Sequence, residues 1–245
     1  MATVIEETER VQQAPAAVAR AGRSVTVIDD AGQVSVPSWV VDLDSFCRWV
    51  ESDDVPEKLR VWYLKGEVWI DMSREQVNTH VLLKTRFYIV LGALVDAGRL
   101  GRLYADGLFL RNNAADVAGK PDATFASTAT LLAKRLRPVP GKQGGIVELE
   151  GSPDMVLEVV SAGSVRKDTV TLKQAYWEVG AREYWLVDAR QEPLTFDVFR
   201  RTAKGYSATR RQDGWLKSAV FGKSFRLTQQ VDPALGDAVF NLEVR

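Results

Sequence analysis

Residues 152–190, SPDMVLEVVSAGSVRKDTVTLKQAYWEVGAREYWLVDAR, constrain the fold more than any other stretch of this chain. PDMVLEVVS is short and almost continuously apolar, the pattern of a strand covered on both faces. The segment after it spaces Leu172, Ala175, Tyr176 and Val179 along one helical face, and Gly180 is placed to end that helix. REYWLVD then reads as a second strand. A strand–helix–strand unit favours parallel pairing through a right-handed crossover, which puts the chain in the α/β class.

The flanking segments add elements to this unit. LRVWYLKGEVWIDM (59–72) reads as a hairpin turning at Lys65-Gly66, because two aromatic and β-branched runs flank that pair. REQVNTHVLLKTRFYIVLGALVDAG carries apolar residues at helical spacing and stops near Gly98. GRLYADGLFLR and PDATFAS read as two strands joined by a polar loop. Residues 128–150 contain Lys134, Arg135, Arg137, two prolines and Gly144-Gly145, so they read as a helix end and a flexible basic loop. Asp42 is placed to cap a short amphipathic helix. Residues 1–40 read as a weakly structured N-terminal extension with a short strand at SVTVID, and residues 41–245 as one domain.

Several function classes drop out on composition. Nothing in the 245 residues approaches roughly 18 consecutive apolar positions, so no membrane span is expected. MATVIEETER is acidic and lacks an apolar signal region, and a cytoplasmic location is expected. Cys47 is the only cysteine, which excludes an internal disulfide and any cysteine-rich zinc site within one chain. His80 is the only histidine, which excludes a paired-histidine metalloprotease.

An acid within a buried strand needs a partner or an ion. Glu158 lies in MVLEVVS, and burying an unpaired carboxylate costs several kcal/mol or raises its pKa. Strand alternation puts Asp154, Val156, Glu158 and Val160 on one face, with Met155, Leu157 and Val159 on the other. Asp154 and Glu158 are about 13 Å apart along the strand, too far to share one ion easily. Asp122 in GKPDATF is the best partner from elsewhere. Two carboxylates on neighbouring strands suit a small hard cation such as Mg²⁺. The competing assignment has Asp122 capping a turn and Glu158 paired with a basic residue in the core.

These residues carry a family likeness. K-PD-x₃-F, PD-x-V-x-EVVS and D-x₇-Y-x₃-G-x₂-EYWLVD resemble the Uma family, which is grouped with the PD-(D/E)XK nucleases. The likeness runs from about Phe46 to Phe199 and includes Asp71-Met72-Ser73 followed by His80. It implies a restriction-endonuclease-like core, a central mixed sheet flanked by helices. It further implies that Asp122 and Glu158 are the catalytic acids and bind Mg²⁺ or Mn²⁺, with the main-chain carbonyl of Val159 as a further ligand. The usual lysine two residues after the acid is Val160 here. The family's alternative lysine position, four residues before the tyrosine, is Leu172. Lys173 and Lys167 are the neighbours that could supply the cation. Lys173 is the favoured one, because its stem can lie along the apolar face while Lys167 can precede the helix. Each lysine also reads as an ordinary solvated side chain.

The expected function is metal-dependent hydrolysis of DNA phosphodiester bonds. The alternative is a weakly active or inactive nuclease-fold scaffold that binds nucleic acid or protein. Residues 200–226 carry eight Lys/Arg and one acid, whereas residues 1–58 carry five against eleven. Such asymmetry marks Arg200, Arg201, Arg210 and Arg211 as candidates for contacting a phosphate backbone, against the plainer reading of a solvated basic hairpin. DNA is the expected partner, a homodimer is compatible with the sequence, and no membrane contact is expected. Glu67, Glu75 and His80 could join the acidic site. Surface positions for the glutamates and a partly buried or capped histidine are the bland assignments. Of Tyr184 and Trp185, which alternate across a strand, at least one belongs to the core.

Overall fold

The computed structural model describes residues 2–6, 9–14, 17–20, 22, 24–29, 32–56, 59–71, 76–106, 108–141 and 145–245. Met72, Ser73 and Glu75 lie outside them. The centre is a six-stranded sheet whose strands lie side by side in chain order. They are β1 (Gly101–Tyr104), β2 (Ala123–Ser127), β3 (Met155–Val159), β4 (Glu183–Asp188), β5 (Thr195–Thr202) and β6 (Gly205–Ala208). Only β3 and β4 pair in parallel; the other pairs are antiparallel. The four helices are α1 (Leu43–Val50), α2 (Leu82–Gly98), α3 (Thr128–Leu132) and α4 (Leu172–Val179). The expected strand–helix–strand crossover is β3–α4–β4. Gly180 ends α4 with φ 86°, a left-handed conformation in which a side chain would be strained.

The alternation read from MVLEVV sorts the core. Met155, Leu157 and Val159 pack with Leu83, Phe87 and Leu91 of α2 on one face. Val156 packs with Leu172 and Tyr176 of α4 on the other. Tyr184 and Trp185 follow the same rule, and both are fully buried, on opposite faces. On the α2 side, Trp185 meets Phe196 and Phe225 edge-on at 5.5 and 4.8 Å. Phe225 comes from a three-stranded sheet formed by Leu216–Lys217, Ser224–Val231 and Ala238–Val244.

On the α4 side lies a seven-stranded sheet that includes the hairpin Arg60–Leu64/Glu67–Asp71. Trp62 and Leu64 reach the α4 core, while Val61, Tyr63 and Ile70 pack beneath α1. Asp42 caps α1 as expected, its carboxylate accepting from the Ser45 amide at 2.8 Å. In the N-terminal region SVTVID does form a strand, Val25–Asp29.

Two expectations need correction. GRLYADGLFLR is not one strand: Gly101–Tyr104 belongs to the central sheet, and Phe109–Asn112 to the seven-stranded sheet. Residues 128–150 are not a loop after a helix end. Leu136–Pro140 and Ile146–Gly151 form an antiparallel hairpin at the rim of the seven-stranded sheet. Leu136 and Leu149 are buried in the α4 core, and an edge strand tolerates Pro138 because that side needs no ladder donor.

Candidate active site

The central sheet sets the carboxylates against each other. In the β2–β3 register Ala123 faces Leu157, so one step further Asp122 stands opposite Glu158. Residues directly opposite in an antiparallel pair point to the same side, with Cβ atoms about 4.5–5.5 Å apart. Both are almost fully buried. Asp122 Oδ2 accepts from the Val159 amide at 2.7 Å, and the Tyr176 hydroxyl donates to Glu158 Oε1 at 2.7 Å. Burial, and after it the Asp122 charge, push the Glu158 carboxyl well above its ordinary range; Lys167 pulls the other way. Burial and the neighbouring Glu158 likewise raise the Tyr176 phenol, so that hydroxyl stays a donor.

Two wide helical turns bring further groups in. A π-helical turn at Val77–Val81 precedes α2, and another at Lys167–Thr171 precedes α4. Such turns recur at functional sites because they displace side chains from the regular helical positions. The first presents His80, whose Nε2–H donates to the Val159 carbonyl at 2.9 Å and lies 3.8 Å from Asp122. Lys84, one turn on and on the same helix face, lies 3.5 Å from Asp122 and 2.5 Å from Asp106. The second turn presents Lys167 and Asp168, both buried. The Lys167 ammonium donates to Asp168 at 2.5 Å and rests 3.7 Å from the centre of the Trp62 ring. Ser164 donates to the other Asp168 oxygen, and the Tyr184 hydroxyl to its main-chain carbonyl. Burial raises the Asp168 carboxyl, against the pull of Lys167.

The two lysines of the sequence reading therefore have different places. Lys167 does not precede the helix and face solvent; it starts the helical run and sits inside the cluster. Lys173, favoured on its proximity to the apolar face, turns away. Its ammonium lies 3.6 Å from the centre of the Phe199 ring, with Asp197 as the charge acting on it, and partial burial lowers its pKa. The reason is the 100° advance per residue, which puts side chains six apart about 120° from each other. Once Lys167 faces Glu158, Lys173 cannot.

Lys84, Asp168, Ser164 and Tyr176 were not singled out for the site from sequence. Lys84 had a usable signal, since it follows His80 by four residues on one helix. Glu67 is exposed beside the hairpin turn, as its bland assignment had it. Arg200, Arg201, Arg210 and Arg211 are all exposed and lie away from the carboxylates. The first three line one cleft. Arg211 instead donates to the Phe196 carbonyl at 2.5 Å and pairs with Asp197 at 3.4 Å.

Among the described residues no three His, Cys, Asp or Glu side chains form a ready-made metal cage. The cluster offers two carboxylates and the Val159 carbonyl, which keeps one lone pair beyond the His80 bond. That donor set fits Mg²⁺, which binds through one or two carboxylates and keeps several waters. Three acids (Asp122, Glu158 and Asp168) face two ammonium groups (Lys84 and Lys167), so an added cation also offsets excess negative charge.

A mixed sheet with helices on both faces, carrying an aspartate and a glutamate opposite each other on adjacent strands, defines a restriction-endonuclease-like nuclease fold. Residues 43–230 match the Uma2 family, described as "Putative restriction endonuclease", and the chain belongs to that family. A similar solved structure is that of "a putative nuclease belonging to DUF820" from Anabaena variabilis, with a TM-score of 0.55 at 18% identity. The likeness covers 74% of this chain and 91% of that one, and at such identity it speaks for the fold alone. No curated protein matches the sequence. Among the described residues no helix is long and apolar enough to cross a membrane.

Proposed function

We propose that this chain hydrolyses DNA phosphodiester bonds using Mg²⁺ or Mn²⁺ held by Asp122, Glu158 and the Val159 carbonyl. The observation that carries the reading is the juxtaposition of two buried carboxylates, with the Glu158 carboxyl raised by burial and by Asp122. Such repulsion is costly without a cation, and perturbed acids of this kind cluster at functional sites. A bound divalent ion supplies Lewis acidity at a phosphoryl oxygen and an acidified water.

The protein's own groups supply orientation. Tyr176 fixes the Glu158 carboxylate, and the Val159 amide fixes Asp122. Lys84 balances part of the Asp122 charge. Lys167, held between Asp168 and the Trp62 ring, provides a positive charge beside the acids, where negative charge develops on the phosphate. It takes the part of the lysine missing at Val160 and Leu172. Family membership supports the reaction class.

The test is calorimetric titration of Mg²⁺ and Mn²⁺ into wild type and Asp122→Ala at neutral pH, alongside cleavage of plasmid DNA. Saturable binding lost in the variant, with metal-dependent cleavage by wild type, is the expected result. A wild type that takes up neither metal ends the reading. One observation favours the alternative, a non-catalytic scaffold: the Lys167 ammonium is already engaged by Asp168. Metal binding without cleavage of any nucleic acid tried would establish that alternative.

A further inference from the structure

We infer that the cleft lined by Arg200, Arg201, Arg210 and Lys217 binds the phosphate backbone of a nucleic acid, at a place separate from the carboxylate cluster. It rests on the nuclease reading only in the choice of nucleic acid as the polyanion. The cleft has a volume of about 800 Å³, and no acidic side chain lines it. An adjoining cleft of about 320 Å³ shares Arg200 and Arg201 and adds Arg135 and Arg182. Its one acid, Glu183, is buried and already accepts from Trp185, Ser218 and the amides of Ala219 and Val220. Arg182 is tied to Asp154 at 3.2 Å.

The remaining cations are unbalanced. Arg200, Arg210 and Lys217 are exposed, and no ion pair joins them to an acid among the described residues. Arg201 is held in place, its Nε donating to the Trp177 carbonyl at 2.8 Å. Like charges gathered in a concavity focus a positive potential and draw in an anion. The volume far exceeds the roughly 30 Å³ share of one water, so it suits a chain of phosphates better than a single ion.

The lining also indicates what is read. Trp215 is the one aromatic in the cleft, and guanidinium groups of Arg245 and Arg226 lie 4.3 and 4.8 Å from its ring centre. Its ring is engaged by the protein's own cations. The other lining groups include Thr202, Ser207 and Thr209, which can donate to phosphate oxygens. That set recognises backbone and carries no sequence information. No exposed large apolar side chain lines the cleft to enter a lipid surface.

The register separates the two places. Glu158 is level with Leu186 and Asp197, whereas Arg200 is level with Glu183 and Met155. Arg200 is thus three residues along and two strands across from Glu158, about 10 Å in each direction. A phosphate held in the cleft is not the one beside the carboxylates. The cleft anchors the polymer and the carboxylates act elsewhere along it.

The experiment is fluorescence anisotropy with a labelled DNA duplex of about 20 base pairs, in EDTA, across a salt series. Wild type is compared with Arg200→Glu/Arg210→Glu and with Asp122→Asn. The cleft variant is expected to lose at least about tenfold in affinity, and its log–log salt slope to fall by about 2. Asp122→Asn is expected to stay within about threefold of wild type. Metal titration of the cleft variant should match wild type, so failure of the cleft and failure of the metal site are told apart. Lys217→Glu replaces the double variant if circular dichroism shows that the latter is unfolded. A single strand of equal length should show the same sensitivity. The inference is overturned if wild type binds no DNA at low salt, or if the cleft variants keep wild-type affinity. Equal loss in Asp122→Asn overturns it too, as does binding to phosphatidylserine vesicles in place of DNA.

Discussion

At the β2–β3 junction Asp122 and Glu158 are shut away from water, whereas two strands across, toward the other end of the sheet, Arg200 and Arg210 stand in it. The buried pair cannot spread its charge into solvent. Each group is held by named donors, and the Glu158 carboxyl is displaced upward as a result. The exposed cations keep their hydration and act at a distance, through an attraction that salt screens within about 10 Å at 0.1 M. Burial therefore converts charge into a poised chemical group, while exposure converts it into reach. In a phosphodiesterase the first suits the reacting centre and the second suits holding a polymer.

The sharpest way to break this comparison is at the acids. Asp122→Ala should abolish metal-dependent cleavage, a fall of more than about 10³-fold, whereas Arg200→Ala should weaken DNA binding and spare turnover at saturating DNA. Equal effects of the two variants on turnover would erase the division. Next in size is the lysine pair. Lys167→Ala should lower turnover by about 10²-fold, on the scale of removing one preorganised charge-stabilising donor. Lys173→Ala should stay within about twofold, since its ammonium lies over Phe199. Single-turnover cleavage of plasmid by the two purified variants decides it.

A smaller effect follows from the Glu158 proton. The folded protein holds that proton more tightly than the unfolded chain does. The stabilisation it provides is complete below the ordinary glutamate value of 4.5 and is lost as pH rises through the raised folded value. Metal-free wild type should therefore lose stability across that window, and Glu158→Gln should lose less. At pH 8 the variant should be more stable by about 1–3 kcal/mol, the range for an imperfectly satisfied buried polar group. Adding Mg²⁺ should stabilise wild type selectively, because the ion binds only the folded state. Urea titrations at pH 4 and pH 8 measure both; parallel pH slopes for the two proteins would contradict the assignment. The smallest effect expected is that of Arg211→Ala. This side chain is occupied by Asp197 and the Phe196 carbonyl, so DNA affinity should change less than about twofold in the same anisotropy assay.

The parts of the molecule that were legible in advance are those governed by neighbours in sequence. The β3–α4–β4 crossover, the α2 helix and the Lys65-Gly66 hairpin follow from apolar periods and turn residues within a few positions of each other. The hairpin at Leu136–Pro140/Ile146–Gly151 was hidden because prolines and glycines mask strand character. What makes it a strand pair is the burial of Leu136 and Leu149 against a distant helix. The carboxylates could be nominated from sequence, since an acid in an apolar strand and an acid after a proline each stand out. That they face each other depends on the β2–β3 register, between residues more than thirty positions apart.

The lysines mark the boundary most clearly. The sequence by itself determined that the cation had moved from the position of Val160, and that only Lys167 or Lys173 lay near enough to replace it. The tertiary structure decided between them, because a π-helical turn starts the helical run at Lys167 and settles the phase of everything after it. Lys84 and Asp168 joined the cluster for the same reason. Sequence periodicity determines which side chains share a face, whereas the phase at which that face meets the sheet is set by long-range packing that no local pattern encodes.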